Sequence, residues 1–231
     1  MIREAIILAG GLGTRLRSAV PELPKCMAPV GGKPFISYVT DYFRRGGIEH
    51  FIFALGYKSH YFEEFFAASF PDGGYSISLE EEPLGTGGAI LQACGKAKTG
   101  TALILNGDTF FGIDLTALSS FHESHDADCS LCLKPMQNFD RFGVVELDGS
   151  QRVTNFREKQ YYASGLINGG VYALNCRRLI GEGLPQKFSF EKDYLEKGTH
   201  NLYGLVQDAY FIDIGIPEDY SRVQQAINQL L

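Results

Sequence analysis

Two basic side chains, Arg15 and Lys25, follow a glycine-rich segment that comes directly after an apolar run near the start of the chain. The glycines of this segment (AGGLGT, residues 9–14) allow the backbone to turn tightly and to expose its N–H groups. Free N–H groups and fixed cations together bind the oxygens of a phosphate chain. The dinucleotide pattern GxGxxG requires glycine where Leu16 stands, and the Walker A ending Gly-Lys-Ser/Thr is absent from the segment. We therefore predict a phosphate loop of another kind, with an ordinary strand–helix turn as the alternative.

Two aspartates, Asp108 and Asp213, each follow an apolar segment with the pattern of a strand. Open α/β sheets present their ligand sites at the carboxyl ends of strands, so both carboxylates are expected at such a site. Mg²⁺ prefers one or two carboxylates together with the phosphates of a substrate. The pair therefore predicts a Mg²⁺ site beside the phosphate loop. The alternative is that each aspartate caps a following turn or helix.

The segment 80–88 (EEEPLGTGG) combines a strand end, a glycine-rich turn and the start of a helix. Glycines at such a turn let a flat ring approach the backbone, and the free N–H groups of a helix start can hydrogen-bond the edge of a base. The segment is therefore a candidate nucleoside site. The alternative is an acidic surface turn with Thr86 as the N-cap of the helix.

A further polar set lies in the second half of the chain and comprises Glu158, Lys159, Asn168 and Gly169. Glu158 and Asn168 can hydrogen-bond sugar hydroxyls, and Lys159 can hold a phosphate as a compact charge. For Lys159 taken alone, an exposed surface lysine is the simpler interpretation. The set predicts a site for a phosphorylated sugar.

Short apolar runs alternate with helical patterns over the first half of the chain, which predicts a largely parallel sheet flanked by helices. The strands predicted there are 5–9, 50–55, 75–79 and 101–105, and the helices are 34–46, 61–68 and 86–97. In the second half, strands are expected at 128–133, 144–147, 152–156, 166–174, 201–206 and 210–212, and helices at 189–196 and 217–231. No repeat or linker interrupts the pattern, so one domain is the simplest account.

The composition of the chain indicates which binding partners and which cellular compartment to expect. A net charge of −6 disfavours nucleic acid as a partner, and no stretch approaches the ~20 apolar residues of a membrane span. The chain begins without a signal-peptide pattern, so we expect a cytoplasmic protein that does not bind membranes. The odd number of cysteines, five, predicts reduced thiols. Cys129 and Cys132 lie three apart on a predicted strand and so point to opposite faces, which disfavours a metal clip.

Taken together, these motifs resemble those of the sugar-1-phosphate nucleotidyltransferases. They occur in family order between residue 5 and about residue 220, and comprise 8–16 (LAGGLGTRL), Pro24-Lys25, 82–88 (EPLGTGG), Asn106-Gly107-Asp108, Glu158-Lys159, Asn168-Gly169-Gly170 and Asp213. The resemblance implies an α/β fold with a Rossmann-like mixed, mostly parallel central sheet flanked by helices, of the GT-A-like kind, with a smaller β-rich sugar-binding part. It implies one domain, 1–231, in which 1–115 bind the nucleotide and 116–231 the sugar phosphate. One departure is Cys26, where many members have proline.

The resemblance also implies roles for individual residues. Arg15, Lys25 and Asp108 would be catalytic, and Asp108 and Asp213 would bind Mg²⁺, the expected cofactor. The nucleoside triphosphate would contact Leu8, Ala9, Gly10, Gly11, Gly13, Thr14, Arg15, Glu82, Pro83, Gly85, Thr86, Gly87 and Asp108. The sugar 1-phosphate would contact Asn106, Gly143, Glu158, Lys159, Asn168, Gly169 and Asp193.

Four segments are similar to those of the family's short guanylyltransferases that act on D-glycero-α-D-manno-heptose 1-phosphate. They are 133–145, 165–172, 187–193 and 211–220. This implies the condensation of GTP with that heptose phosphate, giving a nucleotide sugar and pyrophosphate for surface polysaccharide or S-layer glycan precursors. Mannose 1-phosphate, glucose 1-phosphate or N-acetylmuramate 1-phosphate, and UTP, dTTP or CTP, remain alternative substrates. An inactive regulatory subunit and an NAD-type Rossmann enzyme are the alternatives of other classes. The base, the sugar and the oligomeric state, including a possible homo-oligomer, stay open.

Overall fold

A computed structural model of the chain describes residues 1–11, 20, 22–56, 58–197 and 200–230. The described strands are β1 Glu4–Leu8, β2 Pro29–Val30, β3 Lys33–Pro34, β4 His50–Leu55, β5 Tyr75–Leu79, β6 Thr101–Asn106, β7 Thr109–Phe111, β8 Cys129–Phe139, β9 Val144–Leu147, β10 Val153–Arg157, β11 Tyr162–Asn175, β12 Leu202–Val206 and β13 Phe211–Asp213. The α-helices are α1 Phe35–Arg45, α2 Glu63–Ser69, α3 Gly85–Cys94, α4 Leu115–Ser124, α5 Cys176–Gly181 and α6 Pro217–Gln225. Shorter 3-10 turns span Lys25–Met27, Ser59–Phe62 and Ile227–Gln229, and Phe190–Leu195 forms a π-helical turn.

Within the described residues, nine strands form one mixed sheet. Its first part is parallel, in the order β6-β1-β4-β5, and all four strands end at the same edge. The antiparallel strand β11 joins this part through β6 and continues it toward β8, β9 and β10, while β12 pairs with β8 in parallel. The predicted fold class, a mixed and mostly parallel central sheet flanked by helices with a smaller β-rich part, is confirmed.

Side-chain alternation on the strands builds one apolar layer on each face of the sheet. Ala5 and Ile7 of β1 belong to one buried cluster, whereas Ile6 between them belongs to the other. The two cysteines of β8 follow the same rule, since Cys132 packs in the first cluster and Cys129 in the second. All five cysteines are free and buried, as expected of reduced core thiols.

The second half departs from the predicted elements in two helices that were not predicted, α4 and α5, and in the length of two strands. The strand predicted at 128–133 continues to Phe139, although it contains Pro135. Beyond Leu133, where β12 stops pairing, β8 is hydrogen-bonded on one side only, so a proline without an N–H group is tolerated. Its partner β11 likewise begins at Tyr162 rather than at residue 166. The two strands form a long ribbon, and Phe139 and Ile167 on it belong to a third, smaller buried cluster.

The prediction of a helix through 217–231 is wrong at its carboxyl end. Helix α6 stops at Gln225, and Ala226 leaves the helical conformation. Gln224 and Tyr220 both donate hydrogen bonds to the carbonyl of Pro29, and Ile227 packs against Gly31. Docking onto the β2–β3 hairpin therefore redirects the chain where helical periodicity alone would continue it.

None of the helices that the structure describes is long and apolar enough to cross a lipid bilayer. The longest, α1, has 11 residues.

One buried histidine gives the fold a pH-dependent stability. His122 of α4 is hydrogen-bonded to Ser130 of β8, and burial together with the charge of Arg178 lowers its pKa from about 6.5 to about 4. The unfolded chain takes up this proton below pH ~6.5 and the folded chain only near pH 4. We therefore expect this histidine to lower the free energy of unfolding by roughly 3 kcal/mol as the pH falls through this window. Urea unfolding would measure the free energy of unfolding between pH 7 and pH 4.5, and it should depend less on pH in His122→Asn than in the original protein. Equal slopes for the two proteins would contradict the role given to His122.

Candidate active site

A cleft of about 470 Å³ opens where the parallel strands end. Eleven predicted site residues line it: Leu8, Ala9, Gly10, Gly11, Lys25, Glu82, Pro83, Gly85, Thr86, Asn106 and Asp108. Glu80 and Glu81, which belong to the predicted nucleoside segment 80–88, also line the cleft, and the lining residues that were not predicted are Cys26, Ala54, Gly56, Ala89 and Glu191. The cleft therefore joins the first part of the phosphate loop, the nucleoside segment and one carboxylate of the predicted metal pair. Arg15, Gly13 and Thr14 lie outside the described residues.

Gly107 sets the position of Asp108 relative to the phosphate loop. Its N–H donates to the carbonyl of Leu8 at 3.0 Å, so the turn after β6 crosses directly over the end of β1. A β-carbon at Gly107 would lie 2.8 Å from that carbonyl oxygen, which excludes any larger residue without a shift of the backbone. The sequence Asn-Gly-Asp thus delivers the carboxylate to the floor of the cleft.

Lys25 and Asp108 form an ion pair in this floor. Lys25 Nζ lies 3.5 Å from Asp108 Oδ2, and the lysine side chain is only 16% exposed. Pro24 precedes the 3-10 turn that begins at Lys25, and the N–H groups of Met27 and Ala28 close the turn. The ammonium group is therefore held by a short rigid segment and faces the cleft.

Asp213, near the other end of the chain, lies close to Asp108. Strand β13 pairs with β7, and the N–H of Ile214 donates to the carbonyl of Asp108 at 3.0 Å. Burial raises the pKa of Asp213, and the charge of Asp108 raises it further. A hydrogen bond from Gly215 and the charges of Arg141 and Lys25 act in the opposite direction. The two carboxylates, predicted from their strand-end positions, are therefore brought together.

This carboxylate pair fits a magnesium ion. Its oxygens are the hard ligands that Mg²⁺ prefers, and the repulsion between the two acids is what a divalent cation would relieve. In the part of the chain that the structure describes, no group of three or more acids, histidines or cysteines forms a complete metal site. A magnesium ion here would depend on oxygens from phosphate and water, as is usual for this metal.

The nucleoside segment is shaped by a neighbour from the second half of the chain. A β-carbon at Gly85 would lie 2.5 Å from the carbonyl oxygen of Phe188, and one at Gly88 would lie 2.1 Å from that of Gln186. At Gly87 it would lie 2.2 Å from the Phe188 ring. The space left by these glycines is therefore filled by Phe188 and Gln186 of the neighbouring segment. Only Gly85 among them also lines the cleft.

The alternative role of Thr86 as an N-cap is wrong. Helix α3 begins after Leu84 without any side-chain cap hydrogen bond. The Thr86 hydroxyl donates instead to Glu191 Oε2 at 2.7 Å. Meanwhile the carboxylate of Glu80 accepts the N–H of Leu84 at 3.0 Å and so fixes the turn before the helix.

The predicted sugar-side residues divide into two groups. Asn106 lines the cleft and lies against Gly170, and Asn168 accepts the N–H of Gly170 while donating to the hydroxyl of Tyr172. Gly169 makes room for the ring of Phe111, from which a β-carbon would lie 2.4 Å away. The β6–β11 junction therefore brings Asn168 and Gly169 close to Asn106, which lines the cleft.

The other four predicted sugar-side residues, like Asn168 and Gly169, do not line the cleft formed by the described residues. Glu158 and Lys159 are exposed just after β10, and Gly143 packs against the carbonyl of Arg157 nearby. Asp193 accepts the N–H of Ser189 at 2.9 Å and pairs with Lys197 at 3.2 Å. Its carboxylate closes the π-helical turn, and its sugar-binding role stays a prediction.

Two functional candidates were missed by sequence reasoning. Glu191 lines the cleft, and Arg141 pairs with Asp219 while its Nη2 lies 4.0 Å from Asp213 Oδ2. Phe142, next to this arginine, packs edge-on against Phe211 of β13. Both residues are charged and lie in segments that the sequence analysis had singled out, 187–193 and 133–145. Their roles could not be predicted because their partners lie far away along the chain.

Comparisons with known proteins agree with this geometry. The nucleotidyl transferase family model matches residues 4–229. A D-glycero-α-D-manno-heptose 1-phosphate guanylyltransferase of Aneurinibacillus thermoaerophilus is 47% identical over 99% of this chain and 100% of its own length. The enzyme of the same name from Campylobacter jejuni is 43% identical over 94% of this chain and 96% of its own length.

Solved structures give the same result. HddC from Yersinia pseudotuberculosis superposes with a TM-score of 0.88 at 35% identity, covering 98% of this chain and 100% of its own. Its complex with GMP-PN superposes with a TM-score of 0.87 at the same identity and coverage. With the family model spanning nearly the whole described chain and these relatives matching it end to end, the chain belongs to the nucleotidyl transferase family.

Proposed function

We propose that this protein is a guanylyltransferase that condenses GTP with D-glycero-α-D-manno-heptose 1-phosphate to give the GDP-sugar and pyrophosphate. The observation that carries the activity is the group formed by Lys25 and Asp108, which line the cleft, and by Asp213, which lies close to Asp108. The two heptose 1-phosphate guanylyltransferases that match almost the whole chain support the choice of substrates.

The proposed reaction is an in-line displacement at the α-phosphorus of GTP. An oxygen of the sugar phosphate forms the new bond to phosphorus, and the bond to the β-phosphate oxygen breaks, so pyrophosphate leaves. The attacking oxygen is already anionic at neutral pH, so no general base is required. Catalysis then consists of positioning and charge stabilisation.

Lys25 is the residue best suited to stabilise the crowded α-phosphoryl group. Its ammonium is a compact charge held near the floor of the cleft by a rigid turn. Because the group is partly desolvated, its attraction for developing negative charge is stronger than it would be in water. Arg15, which follows the phosphate loop in sequence, would neutralise the departing pyrophosphate.

Asp108 and Asp213 would hold the magnesium ion. When bound, the ion would supply positive charge to the phosphate oxygens of the nucleotide. The role of these two side chains is to orient their oxygens toward one position, which the β7–β13 pairing and the Ile214–Asp108 backbone hydrogen bond support.

An acidic rim on the cleft supports guanine over uracil and thymine. Glu80, Glu81 and Glu82 line it consecutively, where carboxylates can accept hydrogen bonds. The edge of guanine carries an N–H and an adjacent amino group, whereas uracil and thymine offer a single N–H. Since Glu80 already accepts the N–H of Leu84, Glu81 and Glu82 are the freer acceptors.

Mannose 1-phosphate is the second candidate sugar. A mannose-1-phosphate guanylyltransferase of Mycobacterium tuberculosis is 38% identical over 95% of this chain, which spans 63% of that protein's length. An inactive regulatory subunit is disfavoured, because a binding module does not require a partly buried lysine beside a carboxylate pair. Cytoplasmic location and homo-oligomerisation stay predictions.

A matrix of substrates tests the assignment. GTP, UTP, CTP and dTTP would each be combined with heptose, mannose, glucose and N-acetylmuramate 1-phosphates, and pyrophosphate release would be measured. We expect GTP with the heptose phosphate to give the highest kcat/KM. A higher value for GTP with mannose 1-phosphate would replace the sugar assignment, and a higher value with another base would replace the guanylyl assignment.

A further inference from the structure

Glu191 belongs to the second half of the chain yet lines the nucleotide cleft. Among the lining residues that the structure describes, it alone comes from beyond residue 115. Its Oε2 accepts hydrogen bonds from the hydroxyl of Thr86 at 2.7 Å and from that of Ser189 at 3.1 Å. The Thr86 oxygen in turn accepts the N–H of Phe190 at 2.9 Å. One hydroxyl thus receives and donates a hydrogen bond, and both partners lie in segment 186–191.

The backbone makes the same connection beside it. The N–H of Phe188 donates to the carbonyl of Leu84 at 3.1 Å, and the N–H of Gly87 donates to the carbonyl of Phe188 at 3.0 Å. The three glycines of the turn leave no room for a side chain on this side. The turn 84–88 is therefore packed and hydrogen-bonded against segment 186–191.

From these contacts we infer that Glu191 is a positioning residue for the nucleotide, acting through Thr86 on the turn that lines the cleft. The inference rests on the proposed function, since it concerns how GTP is held. It goes beyond that function because it states that the carboxylate of Glu191, in the half expected to bind the sugar phosphate, affects the affinity for GTP. Because segment 186–191 leads directly into the turn closed by Asp193, the two halves of the site are mechanically connected.

If Glu191 positions the nucleotide, variants of Glu191 and Thr86 should change GTP affinity in a pattern that a purely structural role of Glu191 would not produce. Glu191→Ala removes the acceptor, and Thr86→Val removes the hydroxyl at similar volume. A hydrogen bond to a charged group is worth about a tenfold change in an equilibrium constant. We expect each variant to weaken GTP binding about tenfold. The double variant should bind GTP no more weakly than the weaker single variant, because each single change already removes the Thr86–Glu191 hydrogen bond.

Glu191→Gln separates positioning from direct contact. An amide oxygen can still accept from Thr86, so this variant should retain GTP affinity to within about threefold. Lys192→Ala is the matched control, because this side chain is exposed on the same turn, and its affinity should equal that of the unchanged protein. The KM for GTP should follow the same order, with kcat changed less than KM.

The test is calorimetric titration of the full chain and its variants with GTP, at a temperature where circular dichroism shows every variant folded. If Glu191→Ala lowers only the melting temperature and leaves GTP affinity unchanged, the inference is wrong. It is equally wrong if Glu191→Gln binds as weakly as Glu191→Ala, or if the two single losses add in the double variant. If the unchanged protein itself fails to bind GTP, the proposed function fails first.

Discussion

Replacing Lys25 by alanine should lower the rate of pyrophosphate release by about 10²–10³-fold, the usual cost of removing one preorganised charge from a transition state. The lysine side chain is 16% exposed and its Nζ lies 3.5 Å from Asp108 Oδ2, so the positive charge is held beside that carboxylate. The fold should survive, since the apolar layers on both faces of the sheet do not depend on this side chain. Steady-state kinetics with both substrates saturating measure the effect on kcat.

Lys33→Ala is the matched control for this prediction. Lys33 is exposed in β3, a few residues further along the chain, and its loss should leave turnover within twofold of the original. Near-normal turnover of Lys25→Ala alongside an unchanged melting temperature would remove the lysine from the mechanism.

Asp108→Asn should have an effect of similar size, with an additional signature in its metal dependence. The substitution keeps the shape of the side chain but removes half of the proposed magnesium site and the counter-charge of Lys25. We expect a 10²–10³-fold loss in kcat at ordinary Mg²⁺ concentrations. The Mg²⁺ concentration needed for half-maximal rate should rise. Direct binding of Mn²⁺, followed by electron paramagnetic resonance in the presence of GTP, should weaken in parallel.

Asp208→Asn provides the comparison for that variant. Asp208 pairs with Lys134 on the surface, where its side chain is 77% exposed, so its substitution should change neither rate nor metal dependence. If Asp108→Asn bound Mn²⁺ as tightly as the original protein, its assignment as a metal ligand would be wrong even if activity fell.

The rule that polar residues after apolar strands meet at one edge correctly predicted that two aspartates lie close together beside the cleft. It identified Asp108 and Asp213 although they lie more than 100 residues apart, because each follows a strand whose end is fixed by the sheet. It also placed Gly10 and Gly11 correctly in the cleft. Such residues are predictable because the chemistry and the local pattern coincide within a few positions.

Contacts that depend on two distant segments were not predictable in the same way. The glycines of 84–88 were interpreted as room for a base, but they admit Phe188 and Gln186, about 100 residues further along. Glu191 was overlooked for the same reason, since nothing near it in sequence points to Thr86. The length of β8 was underestimated because polar residues and Pro135 mark an edge ribbon rather than the end of a strand.

The central claim, transfer of a guanylyl group to the phosphate of a sugar, is tested most directly with an isotope. Heptose 1-phosphate carrying ¹⁸O in its non-bridging phosphate oxygens would be incubated with GTP, and both products analysed by mass spectrometry. We predict that all of the label appears in the GDP-sugar, that the pyrophosphate carries none, and that no pyrophosphate forms when either substrate is omitted. Label in the pyrophosphate, or its release from GTP alone at the same rate, would contradict the proposed reaction.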